Sequence, residues 1–379
     1  MTYPQRTIPA AFVAATALLA LAACSGSGET GSTDGPASAA DSAAVDAAAE
    51  RVAQYSAEQD PIEIEPLPAP PEEGLTVAIT SCTLPVCHTL TDAAAEAAEA
   101  IGWTVVPYES ELTPESYVAT WDQMMQSPPD LIAYIPFAPD ALIEDHLAKT
   151  KELGIPVVVA APAGDRPDKD GPVFASYNGY TEFFQSGGLM GDVVVADGGT
   201  GESTVFVWDP ALSLIWDPIK AGFDERMQAS GSVADVLEAS NSGIGTAVPG
   251  QLVSYLQSHP DVEYVVLALA DYSAGIPEAL ESAGLADRVK IVSRAPQAAN
   301  LANVKAGKEF ASVGEENSSN GWRAIDGLAR LAQGMTPDDT WFEPAGWAQI
   351  YTADTVTQTT EPPTTPGSPE AFLSAWGVE

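Results

Sequence analysis

Three cysteines and a scatter of acid–aromatic pairs are the residues of this chain whose chemistry is worth asking about first. Cys24 closes the tetrapeptide Leu21-Ala22-Ala23-Cys24, after a lone Arg6 and an uncharged apolar run over residues 8–22. That run is short for a bilayer span and ends in small residues, the profile of an export signal, and the closing tetrapeptide is that of a bacterial lipobox. Cys24 is therefore expected to carry a lipid after cleavage, and a doubly or triply acylated residue holds firmly to a membrane surface. Outside the cytoplasm disulfides persist, and Cys82 and Cys87 stand five apart around Pro85. A Cys82–Cys87 disulfide is expected. Soft-metal binding by the two thiols and His88 is the alternative, but zinc usually takes four ligands and no second pair has the spacing, so no metal is expected.

Acids beside aromatic rings recur where β-rich runs end: Trp208-Asp209, Trp216-Asp217 and Asp271-Tyr272, with Phe137 and Arg294 after two further runs. Carboxylates and amides that pair hydroxyls, next to flat rings that cover C–H faces, suit a polyhydroxylated ligand. Asp209 and Asp217 also suit N-caps, and Asp271 suits the cap of a helix from residue 273. No Gly-x-Ser-x-Gly elbow, His-Glu-x-x-His or phosphate loop occurs, so neither an enzyme nor a cofactor is expected. Residues 165–171 miss the calcium-loop spacing. Gly26-Ser27-Gly28-Glu29-Thr30-Gly31 matches a dinucleotide fingerprint by letter only, without a strand before it or a helix after it.

These residues need elements to hold them. The chain has 15 basic and 53 acidic residues, a formal charge of −38, which excludes nucleic-acid partners and favours solubility. Residues 1–23 are read as the signal, and 24–74, rich in Gly, Ser, Thr, Ala, Pro and acid, as a flexible tether. Residues 357–379 are read as a C-terminal tail. Between them, β-branched runs alternate with helical stretches. Strands are expected at 75–80, 103–107, 131–135 and 155–160, then at 204–207, 233–237, 262–269, 289–292 and 310–313. Helices are expected at 91–101, 114–126 and 140–153, then at 183–195, 218–229, 250–258, 273–283, 298–305 and 318–333. Such alternation gives parallel sheets with right-handed crossovers, and ligands lie outside the carboxyl ends of the strands. The fold class is α/β, with two doubly wound parallel-sheet lobes.

Over residues 75–352 the chain resembles a type I periplasmic substrate-binding protein of the ribose and galactose class, the solute-binding lipoproteins of sugar ABC transporters. The resemblance rests on residues 78–90, on Leu153-Gly154-Ile155-Pro156-Val157-Val158, on Lys220-Ala221-Gly222-Phe223 and on Ser258-His259-Pro260-Asp261-Val262, in that order. It implies lobes that exchange segments: 75–176 with 316–345, and 177–315 with 346–356, crossing near Ser176, Glu315 and Ala345. It also implies hinge closure on a small solute, a membrane permease as partner, and a monomer anchored outside the cytoplasm. Where the family places Asp-Arg on ring hydroxyls, this sequence has Ala161 and Pro162. Val86 and Cys87 replace its loop aromatics, Asp217 its basic residue and Glu315 its glutamine, so the ligand is not expected to be ribose. The ligand-binding set expected is Phe137, Asn178, Trp208, Trp216, Asp217, Asp271, Tyr272, Arg294 and Glu315. Three acids around Arg294 suit a neutral sugar or polyol; the alternatives are a small cation, or a receptor that presents its ligand to a membrane kinase.

Overall fold

The computed structural model describes residues 39–136, 138–160, 173–175, 179–201, 203–335 and 347–378. Cys24, Phe137, Asn178, the Ala161-Pro162 pair, residues 165–171, and the crossings expected at Ser176 and Ala345 lie outside the described residues.

Two sheets organise the chain. The first is wholly parallel in the order β2-β1-β3-β4-β5, from Thr76–Cys82 (β1), Thr104–Ser110 (β2), Leu131–Tyr134 (β3), Val157–Val159 (β4) and Phe174–Ala175 (β5). The second has the order β11-β10-β9-β8-β6-β7. Its parallel strands are Thr204–Trp208 (β6), Asp235–Glu238 (β7), Tyr264–Leu267 (β8), Lys290–Arg294 (β9) and Ala311–Glu315 (β10). An edge strand unexpected from the sequence, Ala348–Thr352 (β11), runs antiparallel to β10. β3, β4 and β8 are buried along their whole length, as near-continuous apolar strands are when helices cover both faces.

Helices Pro85–Ala100 (α2), Pro114–Met124 (α3), Glu144–Leu153 (α4) and Asn317–Ala332 (α10) belong to the first sheet's lobe. Gly179–Ala196 (α5), Ser213–Ala229 (α6), Ala247–Ser258 (α7), Ile276–Ala283 (α8) and Ala298–Lys305 (α9) belong to the second. In the second lobe α5 and α6 approach so closely that a Cβ on Gly222 would stand 1.9 Å from the Phe184 carbonyl oxygen. Only glycine fits there. Next to it, Phe223 packs its ring 4.9 Å from Phe206.

Residues 39–74 and 357–378 pack on the lobes, which corrects the reading of this part of 24–74 as a flexible tether and of 357–378 as a tail outside the fold. Ala39–Ser56 forms a helix (α1) that lies on the second lobe, with Ala48 buried and Val52 and Tyr55 packed on the core. Arg51 donates from Nε and Nη2 to both carboxylate oxygens of Asp192, at 2.7 and 2.6 Å, and Asp192 is 1 % exposed. Such a fork fixes the helix in one register. Residues 62–72 then run onto the first lobe, where Leu67 is buried and the Trp103 indole donates to the Glu72 carbonyl. At the other end Glu370–Trp376 (α11) buries Phe372 and Trp376 against Trp322, with centroids 5.8 and 5.6 Å away, and the Trp376 indole donates to Asp326. Backbone bonds from Ile62 to Pro366 and from Leu67 to Ala375 tie the two termini together.

Candidate functional site

The cores of the two lobes meet at a cleft. Leu84, Val86, Leu112 and Ile215 touch both. Within it lies a cavity of about 70 Å³ lined by sixteen described residues. Its walls come from the carboxyl ends of the strands, as an open α/β sheet requires. The first lobe supplies Cys82 at the end of β1, Leu84, Val86, Cys87 and Leu90 from the loop and α2, Leu112 after β2, Ile135 after β3, and Asn317 and Asn320 from α10. The second supplies Phe183 from α5, Leu212 after β6, Ile215 and Trp216 from α6, Leu269 after β8, Arg294 at the end of β9 and Glu315 at the end of β10.

Of the nine ligand residues expected from the sequence, Trp216, Arg294 and Glu315 come together in this cavity. Arg294 and Glu315 are 3 % and 4 % exposed and form a bidentate pair: Nε donates to Oε2 at 2.9 Å and Nη2 donates to Oε1. Nη1 donates to the Ala268 carbonyl, and the guanidinium lies 5.1 Å from the centre of the Phe183 ring. Fork geometry and ring contact are what guanidinium supplies and an ammonium does not.

Asp271 stands beside the cavity rather than in its wall. Its carboxylate accepts the backbone N–H of Val86, 3.3 Å away on the opposite lobe, instead of capping a helix from 273. Burial pushes its carboxyl up to about 6, against the lowering effects of the Val86 N–H, Arg294 and His88. A second bond across the lobes runs from the Thr89 hydroxyl to the Gln297 side-chain oxygen at 2.8 Å. Tyr272 is buried in the second lobe's core and donates to the Ala239 carbonyl. Trp208 ends β6 against the same core, and Asp209 caps the turn after it, accepting from Ala211 and Asn241. Asp217 is exposed on α6. That helix begins at Ser213, five residues before the expected start, so neighbours 216 and 217 point about 100° apart and only Trp216 faces inward. The expected cluster of three acids around one arginine is therefore reduced to Glu315, paired, and Asp271, at the lobe boundary.

Residues the sequence did not single out complete the site. Where the chain passes from β10 to α10, Glu316 is buried, accepts from Arg323 and from the Trp347 N–H, and donates its own N–H to Glu182 at 3.2 Å. Glu182 is fully buried, and its Oε2 has no partner among the described residues. Burial, then the charges of Glu315 and Glu316, raise its carboxyl well above the usual range. Two guanidinium groups, Arg294 and Arg323, are thus paired with Glu315 and Glu316, and Glu182 is a third acid beside them. Asn317 donates to the Val86 carbonyl at 3.2 Å, fastening the disulfide loop to α10. The one signal in the sequence for this cluster is the run Glu315-Glu316-Asn317 with Arg323 two turns further along a helix.

Cys82 and Cys87 are joined by a disulfide that forms part of the cavity wall, which consumes both thiols and removes the soft-metal alternative. Both non-glycine residues with positive φ among those described lie here too: Leu112 (59°) lines the cavity and Ala295 (53°) follows Arg294. Strained backbone of this kind persists where surrounding structure over-determines it, most often at functional sites.

The family model for the periplasmic binding protein domain matches residues 77–336. The chain belongs to this family. It is a binding protein rather than an enzyme, of a family that works outside the cytoplasm. Among curated proteins no sequence matches. Among solved structures, a galactofuranose-binding protein is similar over 80 % of this chain and 99 % of its own, with 18 % identity and a TM-score of 0.65. An ABC transporter solute-binding protein from Mycobacterium smegmatis with bound glycerol is similar over 76 % and 99 %, with 19 % identity and a TM-score of 0.63. A periplasmic solute-binding protein from Actinobacillus succinogenes 130z with bound D-allose gives 75 % and 99 %, 16 % identity and 0.62. Likeness at this identity is likeness of fold.

Proposed function

We propose that this protein is the solute-capturing component of an ABC-type importer, and that it takes one small uncharged, hydroxyl-bearing solute into the cleft between its lobes. The observation that carries the reading is the charge state of the cleft. Arg294 and Glu315 answer each other in a bidentate pair, Arg323 answers Glu316, and burial raises the Glu182 carboxyl well above the usual range. A charged solute would find no free counter-charge among the described residues of the cavity and would lose its hydration, which is expensive. The small-cation reading loses its basis with Asp217 outside the cleft. The glycerol and D-allose held by neighbouring structures belong to the uncharged, hydroxylated class. Capture proceeds by closure: the solute stabilises the state in which Val86 meets Asp271 and Thr89 meets Gln297.

The partner in this reading is a membrane permease, and the protein reaches it as a monomer anchored by lipid on Cys24. Cys24→Ser is expected to move the protein from the membrane to the soluble fraction; retention in the membrane fraction would contradict the anchor. For the solute, a thermal-shift screen of the full chain against pentoses, hexoses, polyols, hydroxylated rings, nucleosides, small amines and carboxylates is expected to raise the melting temperature with an uncharged member only. A shift confined to amines or carboxylates would overturn the reading.

A further inference from the structure

The composition of the cavity wall is at odds with a sugar. Twelve of the sixteen lining residues present hydrocarbon, an indole or disulfide sulfur. The four polar ones have little to offer a ring of hydroxyls. Arg294 and Glu315 spend their forks on each other, and Asn317 gives a hydrogen to Val86. Two polar atoms on the lining residues are buried with no partner among the described residues: the Trp216 indole Nε1 and the Asn320 Oδ1. One is a donor and the other an acceptor, on residues 3 % and 4 % exposed from opposite lobes.

Resting on the reading of the cleft as a site for an uncharged solute, we infer that its ligand is amphipathic: a compact carbon body carrying one or two hydroxyl or carbonyl groups, rather than a polyhydroxylated sugar. The polar end takes the Trp216 N–H and the Asn320 oxygen and reaches the edge of the Arg294–Glu315 pair, while the body lies against Leu84, Val86, Leu90 and the Cys82–Cys87 bridge.

The physical case is one of satisfaction. A hexose buries five hydroxyls and a ring oxygen, and each polar group left unpaired in a dry site costs the full loss of its hydration. Among the described residues, a wall that is three-quarters apolar by residue has few groups to answer six, and several orphans would cancel the affinity of a small ligand. A hydrocarbon body in the same wall is stabilised in proportion to the apolar area taken from water. The backbone of the wall is held in place for this contact: Leu112 turns its side chain into the cavity at a φ that leucine rarely adopts. Binding and dissociation here require no chemistry beyond desolvation and closure.

A ring of constant size with a falling number of hydroxyls separates the two ligand classes. The full chain is titrated calorimetrically with myo-inositol, D-glucose, trans-cyclohexane-1,2-diol and cyclohexanol, and with cyclohexylamine and cyclohexanecarboxylate as charged counterparts. The diol is expected to bind at least tenfold more tightly than myo-inositol or D-glucose. Trp216→Phe, which keeps the ring and removes the N–H, is expected to weaken the diol three- to tenfold while leaving the melting temperature of the unliganded protein within a few degrees. Tighter binding of myo-inositol or D-glucose than of the diol overturns the amphipathic ligand and leaves the uncharged-solute site standing. Binding confined to cyclohexylamine or the carboxylate overturns that site as well. Silence from every uncharged ring overturns the amphipathic ligand, and the wider thermal-shift screen then judges the site by itself.

Discussion

The two walls of the cleft are built from different materials. Among the described residues, the wall from the first lobe has no ionisable side chain: it is a disulfide loop, five apolar residues and two asparagines. The wall from the second lobe carries both charges of the cavity, as a closed pair flanked by Phe183 and Trp216. The difference teaches which lobe does which task. Strands β9 and β10 are adjacent and parallel, so residues at their carboxyl ends are set a fixed distance apart by the sheet itself. A buried ion pair needs that rigidity. The loop after β1 has no such frame and is instead braced by its disulfide and by Asn317. The second lobe anchors and selects; the first covers.

Breaking the second lobe's wall is expected to have the largest effect. Glu315→Ala leaves Arg294 charged, buried and unpaired, and should cost about 3–5 kcal/mol in denaturant unfolding, with loss of solute binding. Replacing both, as Arg294→Met with Glu315→Leu, should restore most of the stability and none of the selectivity. If the single and double variants were equally unstable, the pair would not be the second lobe's fixed point. Opening the first lobe's wall should matter less. Cys82→Ser with Cys87→Ser removes the closure of a short loop, worth about 2 kcal/mol by chain entropy, and should weaken binding while leaving the second lobe folded, as read by hydrogen exchange.

A smaller effect comes from the contact between the walls. The Asp271 carboxyl lies at about 6 in the closed protein against an ordinary value near 3.8. Its contribution to stability is therefore fully present below the ordinary value and is lost as the pH rises through about 6. Between pH 7 and pH 5 the wild type should gain about 1 kcal/mol relative to Asp271→Asn, measured by thermal unfolding of both proteins at each pH. Equal pH slopes would remove Asp271 from the lobe boundary. The smallest effect expected is a several-fold loss of affinity in Asn320→Ala, with no change in melting temperature beyond a few degrees.

The strands and the family were legible because a sheet covered on both faces needs unbroken apolar runs, and β3, β4 and β8 read that way directly. Charged or short edges were not: β5 has two residues, and β11 is a late edge strand whose Gln349 and Thr352 dilute the pattern. The terminal helices escaped because the apolar stripe of α1 is mostly alanine and that of α11 is only seven residues long, so both depend on a partner surface that sequence does not display. At the site, Arg294, Glu315 and Trp216 could be found because strand ends and helix starts locate a cleft. Asp217 misled because Pro218 reads as the first residue of a helix that in fact begins at Ser213. Glu182, Glu316 and Arg323 were hidden for a different reason. Their roles arise only when α5 and the start of α10 meet, and no local spacing records that.

The most direct test of this division of labour is a crystal structure of the protein with the tightest-binding uncharged ring compound. The ligand is expected between the lobes, its hydroxyls toward Trp216, Asn320 and the Arg294–Glu315 pair, and its carbon body against Leu84, Leu90 and the disulfide. A ligand whose hydroxyls face the disulfide loop, or one bound outside the cleft, would contradict it.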